Sequence, residues 1–120
     1  MTQEKKPTTA TTVAFRLDVL VRAGDGVFVG QCLQYDITVQ APTLDQMKER
    51  FAHAFAFHFV SDAEAGKPPL SSLRQAPRRF WDIYLRGGNI AARDVPIYVP
   101  SVRQESVDAR ATFVQVLEAA

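Results

Sequence analysis

Gly-Val-Phe-Val-Gly-Gln-Cys-Leu-Gln-Tyr-Asp-Ile-Thr-Val-Gln-Ala-Pro-Thr-Leu-Asp-Gln-Met, residues 26 to 47, carries the chain through two extended segments and into the start of a helix. Val27 to Leu33 is β-prone, Gln34 to Asp36 has the composition of a bend, and Ile37 to Gln40 is extended again. Gly30 leaves room in the second strand for a bulge or a close neighbour. Pro42 then punctuates the chain. Thr43, followed three residues later by Gln46, has the pattern of a capping box, in which side chains satisfy the free amides of a helix start.

Upstream, Val13, Phe15, Leu17, Val19 and Val21 alternate with Ala14, Arg16, Asp18, Leu20 and Arg22, the period of two that marks a strand with one buried face. Ala23-Gly24-Asp25-Gly26 tolerates positive φ, so the first strand turns back on the second as a hairpin. Downstream, Leu44, Met47, Phe51, Ala54, Phe55 and His58 form a stripe at helical spacing, and Lys48, Glu49, Arg50 and His53 lie largely off it. The helix is expected to run to about Ala65 and stop at Gly66, because Pro68 and Pro69 forbid its continuation.

Phe57 and Val60 fall off that stripe and need a cover of their own. A short helix beginning at Pro77, carrying Phe80, Trp81, Ile83 and Tyr84 and ending at Gly87-Gly88, is one candidate; a second subunit is the other. Val95 to Val99, broken by Pro96, suits only an edge strand or extended segment, and Thr112 to Leu117 is β-prone enough to be the last strand. The expected architecture is α+β: a small antiparallel sheet in β-β-β-α-β order, one long helix packed on one face, a short aromatic helix and a C-terminal strand.

With 120 residues, 47% of them hydrophobic and 22% charged, the chain has the balance of one folded domain, expected over residues 13 to 120 behind a flexible leader at 1 to 12. That leader lacks the apolar core of a secretory signal, and no apolar run approaches the roughly 20 residues that span a bilayer. A cytoplasmic protein with no membrane partner is therefore expected. The formal net charge of +1 argues against binding nucleic acid through overall charge. Cys32, the one cysteine, permits no internal disulfide, and its place in an alternating strand marks it as a small packed side chain.

Catalytic signals are weak. His53 and His58 are five apart, which turns them roughly 140° from one another on a helix, so they cannot share a metal ion. Asp18 sits on the polar face of the first strand, Asp25 in a turn and Asp36 at a bend, too scattered to hold ions as a cluster. No serine elbow, phosphate-binding glycine loop or Cys-His pairing is present, so neither an enzyme nor a cofactor is expected.

Residues 74 to 93 hold Arg74, Arg78, Arg79, Arg86 and Arg93 against Asp82 alone, interleaved with Phe80, Trp81 and Tyr84. Arginines can hold phosphates and aromatics can stack bases, which makes Arg74, Arg78, Arg79, Trp81 and Arg86 candidate RNA contacts. The competing reading is an aromatic core rimmed by solvated arginines. Phe57, Val60, Trp81 and Tyr84, with an unpaired sheet edge, are candidates for the interface of a homo-oligomer.

Residues 13 to 73 resemble the HicB-like antitoxin family, through the apolar alternation of residues 26 to 47, the Cys-Leu-x-x-Asp turn at 32 to 36, the helix begun by Thr43, and Gly66 to Pro69. The resemblance implies a partial ribonuclease H-like domain with its last strand beside its first, self-association, and a non-catalytic role in masking a small toxin ribonuclease. Two features depart from the family's pattern. Residues 95 to 120 offer extended segments and no helix-turn-helix or ribbon-helix-helix, which argues against operator DNA as a partner, and Ala41-Pro42 stands where the family often has a glycine. The expected function is therefore that of a stand-alone, non-catalytic binding protein of this type, masking a small toxin ribonuclease or acting as an orphan relative, with an RNA-binding module or a self-assembling structural domain as the alternatives.

Overall fold

In the computed structural model, residues 11–100 and 105–116 are described. Alternation places Leu17, Val19 and Val21 of β1 (Thr11–Gly24) in the core. The strand begins earlier than expected: Thr11 and Thr12, assigned to the leader on sequence grounds, pair with Glu105 and Ser106, and residues 1–10 lie outside the described residues. Gly24 pairs with Val27, so only Asp25 and Gly26 form the loop to β2 (Val27–Cys32), at φ 52° and 78°. Two consecutive positive φ values define the turn whose twist matches that of the flanking strands. β3 (Thr38–Ala41) then pairs antiparallel with β2.

Thr43 caps α1 (Leu44–Glu64), its Oγ1 accepting from the Gln46 amide at 3.1 Å. The helix ends where glycine permits: Gly66 at φ 75° donates to the Ala63 carbonyl, and Lys67 donates to that of Asp62, the paired bonds of a Schellman stop. The buried row is Met47, Phe51, Phe55, Phe59 and Ala63. Phe59 is 1% exposed, whereas His58, expected on the stripe, is half-buried. A row of residues four apart is inclined to the helix axis, and a twisted sheet lets the line of contact follow it. Phe15 of β1 meets the rings of Phe55 and Phe59 edge-on at 5.6 and 5.8 Å. Gly30 admits a close neighbour, for a Cβ there would strike the Met47 sulfur.

After α2 (Arg78–Leu85), β4 (Asn89–Ile97) and β5 (Glu105–Gln115) complete a five-stranded sheet in the order β3-β2-β1-β5-β4. The α+β class is as expected, with one pairing of a different sense: β5 lies parallel to β1 along its whole length, so the sheet is mixed. β4 is an edge strand containing Pro96, as anticipated, and starts at Asn89, with two register shifts and Asp94 at φ 51°. β5 begins seven residues before Thr112, and Leu117 lies outside the described residues.

The short helix does not cover Phe57 and Val60. α2 packs on the opposite face of the sheet, where Phe80, Trp81, Ile83 and Tyr84 close over Leu20, Leu33, Ala76, Val114 and Val116. Leu20 explains the choice: it sits in the outward phase of β1 yet is fully buried, because an apolar patch on that face required its own cover. The Ala76 amide ties the approach to α2 onto the Leu33 carbonyl at 2.8 Å. Beyond the helix, Gly88 lies so close to the Gln115 carbonyl that any side chain there would collide with it.

Deleting a buried phenylalanine side chain costs about 3 to 5 kcal/mol. Urea denaturation should therefore show losses of that size for Phe51→Ala, Phe55→Ala and Phe59→Ala, and changes within about 0.5 kcal/mol for the exposed His53→Ala and Phe57→Ala. A tolerated Phe59→Ala would mean that the inward row is misassigned.

Candidate functional site

The predicted arginine and aromatic segment forms the outer surface of α2 and its flanks. Arg78 is on the first turn, 4.0 Å from Asp82 one turn on, with both side chains largely in water. Arg79 lies over the Phe80 ring at 4.4 Å. A second guanidinium, that of Arg22 from β1, lies over the same ring at 5.1 Å. Arg22 also donates to Gln31 Oε1 at 3.3 Å, and its Nε is buried with no partner among the described residues. Arg74 and Arg86 are exposed at the two ends of the segment.

Gln75, Ala76, Arg78, Trp81, Asp82 and Leu85 line an open cleft of about 430 Å³. Leu85 is 74% exposed at its rim, and the Trp81 indole N–H is buried without a partner among the described residues. The cleft thus has an apolar wall and a charged mouth. Aromatic rings with adjacent guanidinium groups can take a flat, anionic ligand by stacking and charge.

Tyr84 has a different task. Its hydroxyl donates to Asp18 Oδ1 at 2.8 Å, while Gln34 Nε2 donates to Asp18 Oδ2 at 2.8 Å and Gln34 Oε1 accepts from the Asp18 amide at 2.8 Å. Burial, then the bond to Asp18, raises the phenol well above its usual range. Asp18 is therefore the anchor that holds α2 to the sheet. Asp36 accepts from Gln31 Nε2 at 2.9 Å, and Asp25 stands in the β1–β2 turn. Cys32 is fully buried, and burial pushes its thiol up to about 11.

The four residues expected at an oligomer interface fall on two surfaces. Trp81 and Tyr84 belong to α2, whereas Phe57 and Val60 lie across the sheet on the outer side of α1, where a cleft of about 400 Å³ is lined also by His53, Ala56, Ser61, Glu64 and Pro100. Phe57 remains 68% exposed. Sequence reasoning missed Arg22, Leu85 and Tyr98, the last of which is 82% exposed just after β4. Arg22 had one signal: it lies two places from Leu20, the apolar residue that breaks the alternation of β1. Among the described residues, no three His, Cys, Asp or Glu side chains are brought together as a metal would require.

No protein-family model matches the chain, and neither a curated protein nor a solved structure shows significant similarity to it.

Tyr84 and Cys32 both hold their protons more tightly in the folded state. Stability is therefore complete below their ordinary values, 10.0 and 9.0, and is lost as pH climbs past them. The melting temperature should hold steady to about pH 9 and fall above it, with a smaller fall in Tyr84→Phe. At neutral pH that variant should lose about 1 to 2 kcal/mol, through the missing bond to Asp18. An alkaline fall of unchanged size in Tyr84→Phe would show that Tyr84 is not its source.

Proposed function

We propose that the chain is a non-catalytic binding protein of the HicB-like antitoxin type, acting in the cytoplasm by masking a small toxin ribonuclease. One observation carries this reading: after β1, β2, β3 and α1, the chain returns with β5 directly beside β1, the strand placement that the resemblance implies. α2 and β4 are additions between α1 and β5. A non-catalytic role is supported by the use of the reactive groups in folding, since Asp18 anchors α2, Asp36 braces Gln31 and Cys32 is buried with a raised pKa. Among the described residues, no helix is long and apolar enough to cross a membrane.

The surface best suited to a protein partner is the outer side of α1, where Phe57, Val60 and Ala56 present apolar area beside the charged Glu64. An exposed phenylalanine set in a cleft is the kind of anchor on which protein contacts depend. The same feature supports a second reading, self-association into a homo-oligomer through that face.

Affinity purification from the native host, with and without added ribonuclease, tests the first reading. The expected result is a stoichiometric small protein, encoded beside this chain's gene, whose RNA cleavage is silent in the complex and is restored on separation. Recovery of the chain without any such protein would overturn the antitoxin reading. Light scattering on a sizing column tests the second. A mass near twice 13.3 kDa that falls to 13.3 kDa in Phe57→Glu is expected for self-association through α1, and a monomeric wild type would exclude it.

A further inference from the structure

We propose that the α2 face is a binding site for single-stranded nucleic acid, with the Trp81 cleft taking a base and Arg22, Arg74, Arg78, Arg79, Arg86 and Arg93 holding the phosphates. This is independent of the antitoxin reading. It begins from how arginines are paired across the molecule. Arg16 and Arg110 both reach Asp108, at 3.0 and 3.2 Å, and Arg50 donates to the Gln40 carbonyl at 2.7 Å. On the α2 face, Arg78 has only a 4.0 Å contact with Asp82, and none of Arg22, Arg74, Arg79, Arg86 and Arg93 has a carboxylate partner among the described residues.

Of the two acids on this face, Asp82 meets Arg78 only at 4.0 Å, and Asp18 is already engaged, because its two oxygens accept bonds from Tyr84 and Gln34. The fold therefore gathers like charges and leaves them unneutralised. A chain of net charge +1 can do this only locally, since acids elsewhere must balance the excess. A polyanion is the complementary partner, and its phosphates would release counterions on binding.

The cleft decides between nucleic acid and an acidic peptide. A carboxylate-rich peptide needs guanidinium groups alone, whereas here Arg78 stands in a cleft with the apolar walls of Trp81, Ala76 and Leu85, and Arg74 and Arg79 flank the residues that line it. Bases have flat apolar faces that stack on an indole, with little preference for sequence. Gln75 and Asp82 stand in the same cleft and can meet the polar edge of a base. Phe80 is not available for stacking, because Arg79 and Arg22 already lie over it; its part is to hold those two charges in place.

Trp81 is the one tryptophan in the chain, so its emission reports on this cleft alone. Titration of the full chain with a labelled single-stranded RNA of about 20 nucleotides, and with DNA of the same sequence, should raise anisotropy and quench that emission together. Which oligonucleotide binds more tightly identifies the preferred sugar. Three to five phosphate contacts would give a slope of about −2 to −3.5 in log affinity against log salt. Arg78→Glu with Arg79→Glu should weaken binding at least tenfold while leaving the melting temperature nearly unchanged. Lys48→Glu with Arg50→Glu, an equal change of charge on α1, should have little effect on binding.

Three results would overturn the proposal. They are no anisotropy change at about 20 mM salt, equal weakening by both double variants, and displacement by polyglutamate as effective as displacement by unlabelled RNA. The last would identify an acidic protein as the partner.

Discussion

The pairing of β1 with β5 is the constraint on which the rest of the molecule depends. It joins Thr11 to Glu105 and runs to Val21 and Gln115, so the first described strand finds its neighbour only at the far end of the chain. β1 becomes the central strand, with β2 on one side and β5 on the other. A central strand in a layered fold is buried on both faces, and β1 shows it: Leu17, Val19 and Val21 face α1, while Leu20 faces α2. Closing so long a loop costs entropy, and burial of apolar side chains on both faces of β1 helps to offset it.

The two covers differ in kind. α1 lays a row of large side chains into the sheet, three of them phenylalanines that are at most 1% exposed. α2 buries none of its residues completely, and is held by the Tyr84 to Asp18 bond and by the backbone bond from Ala76 to Leu33. The first face carries most of the stability. The second, thinly covered and edged with arginines, is where a surface can be given to binding without weakening the core.

Polar groups divide along the same line. Asp18, Gln34, Gln31 and Asp36 form short bonds to one another and to the backbone, and Asp62 accepts from Ser72 at 3.3 Å where the chain leaves α1. Of these, Gln31 and Asp62 are buried and Asp18 and Gln34 half-buried, and polar groups satisfied in this way specify a fold. Five arginines of the α2 face make no ion pair among the described residues, and the Arg22 Nε and Trp81 Nε1 are buried without partners there. A site built on unmet bonding capacity contrasts with a scaffold whose capacity is met.

Much of the local structure could be read directly from residues. Alternation from Val13 to Val21, the Asp25-Gly26 turn, the Thr43 cap, the Gly66 stop and the Pro96 edge each depend on interactions within a few positions, and each is found. The candidate arginines and Trp81 were equally legible, as a cluster of residue types. Periodicity states which face of an element is apolar, and nothing more. It could not say that β5 would lie parallel to β1, that Phe59 and not His58 would complete the inward row, or that α2 would cross to the face away from Phe57. Nor could it bring Arg22 onto Phe80, or separate Phe57 from Trp81. Those outcomes were decided by which apolar surfaces could be buried against each other at once, a competition among segments up to 94 positions apart, as Thr12 and Ser106 are.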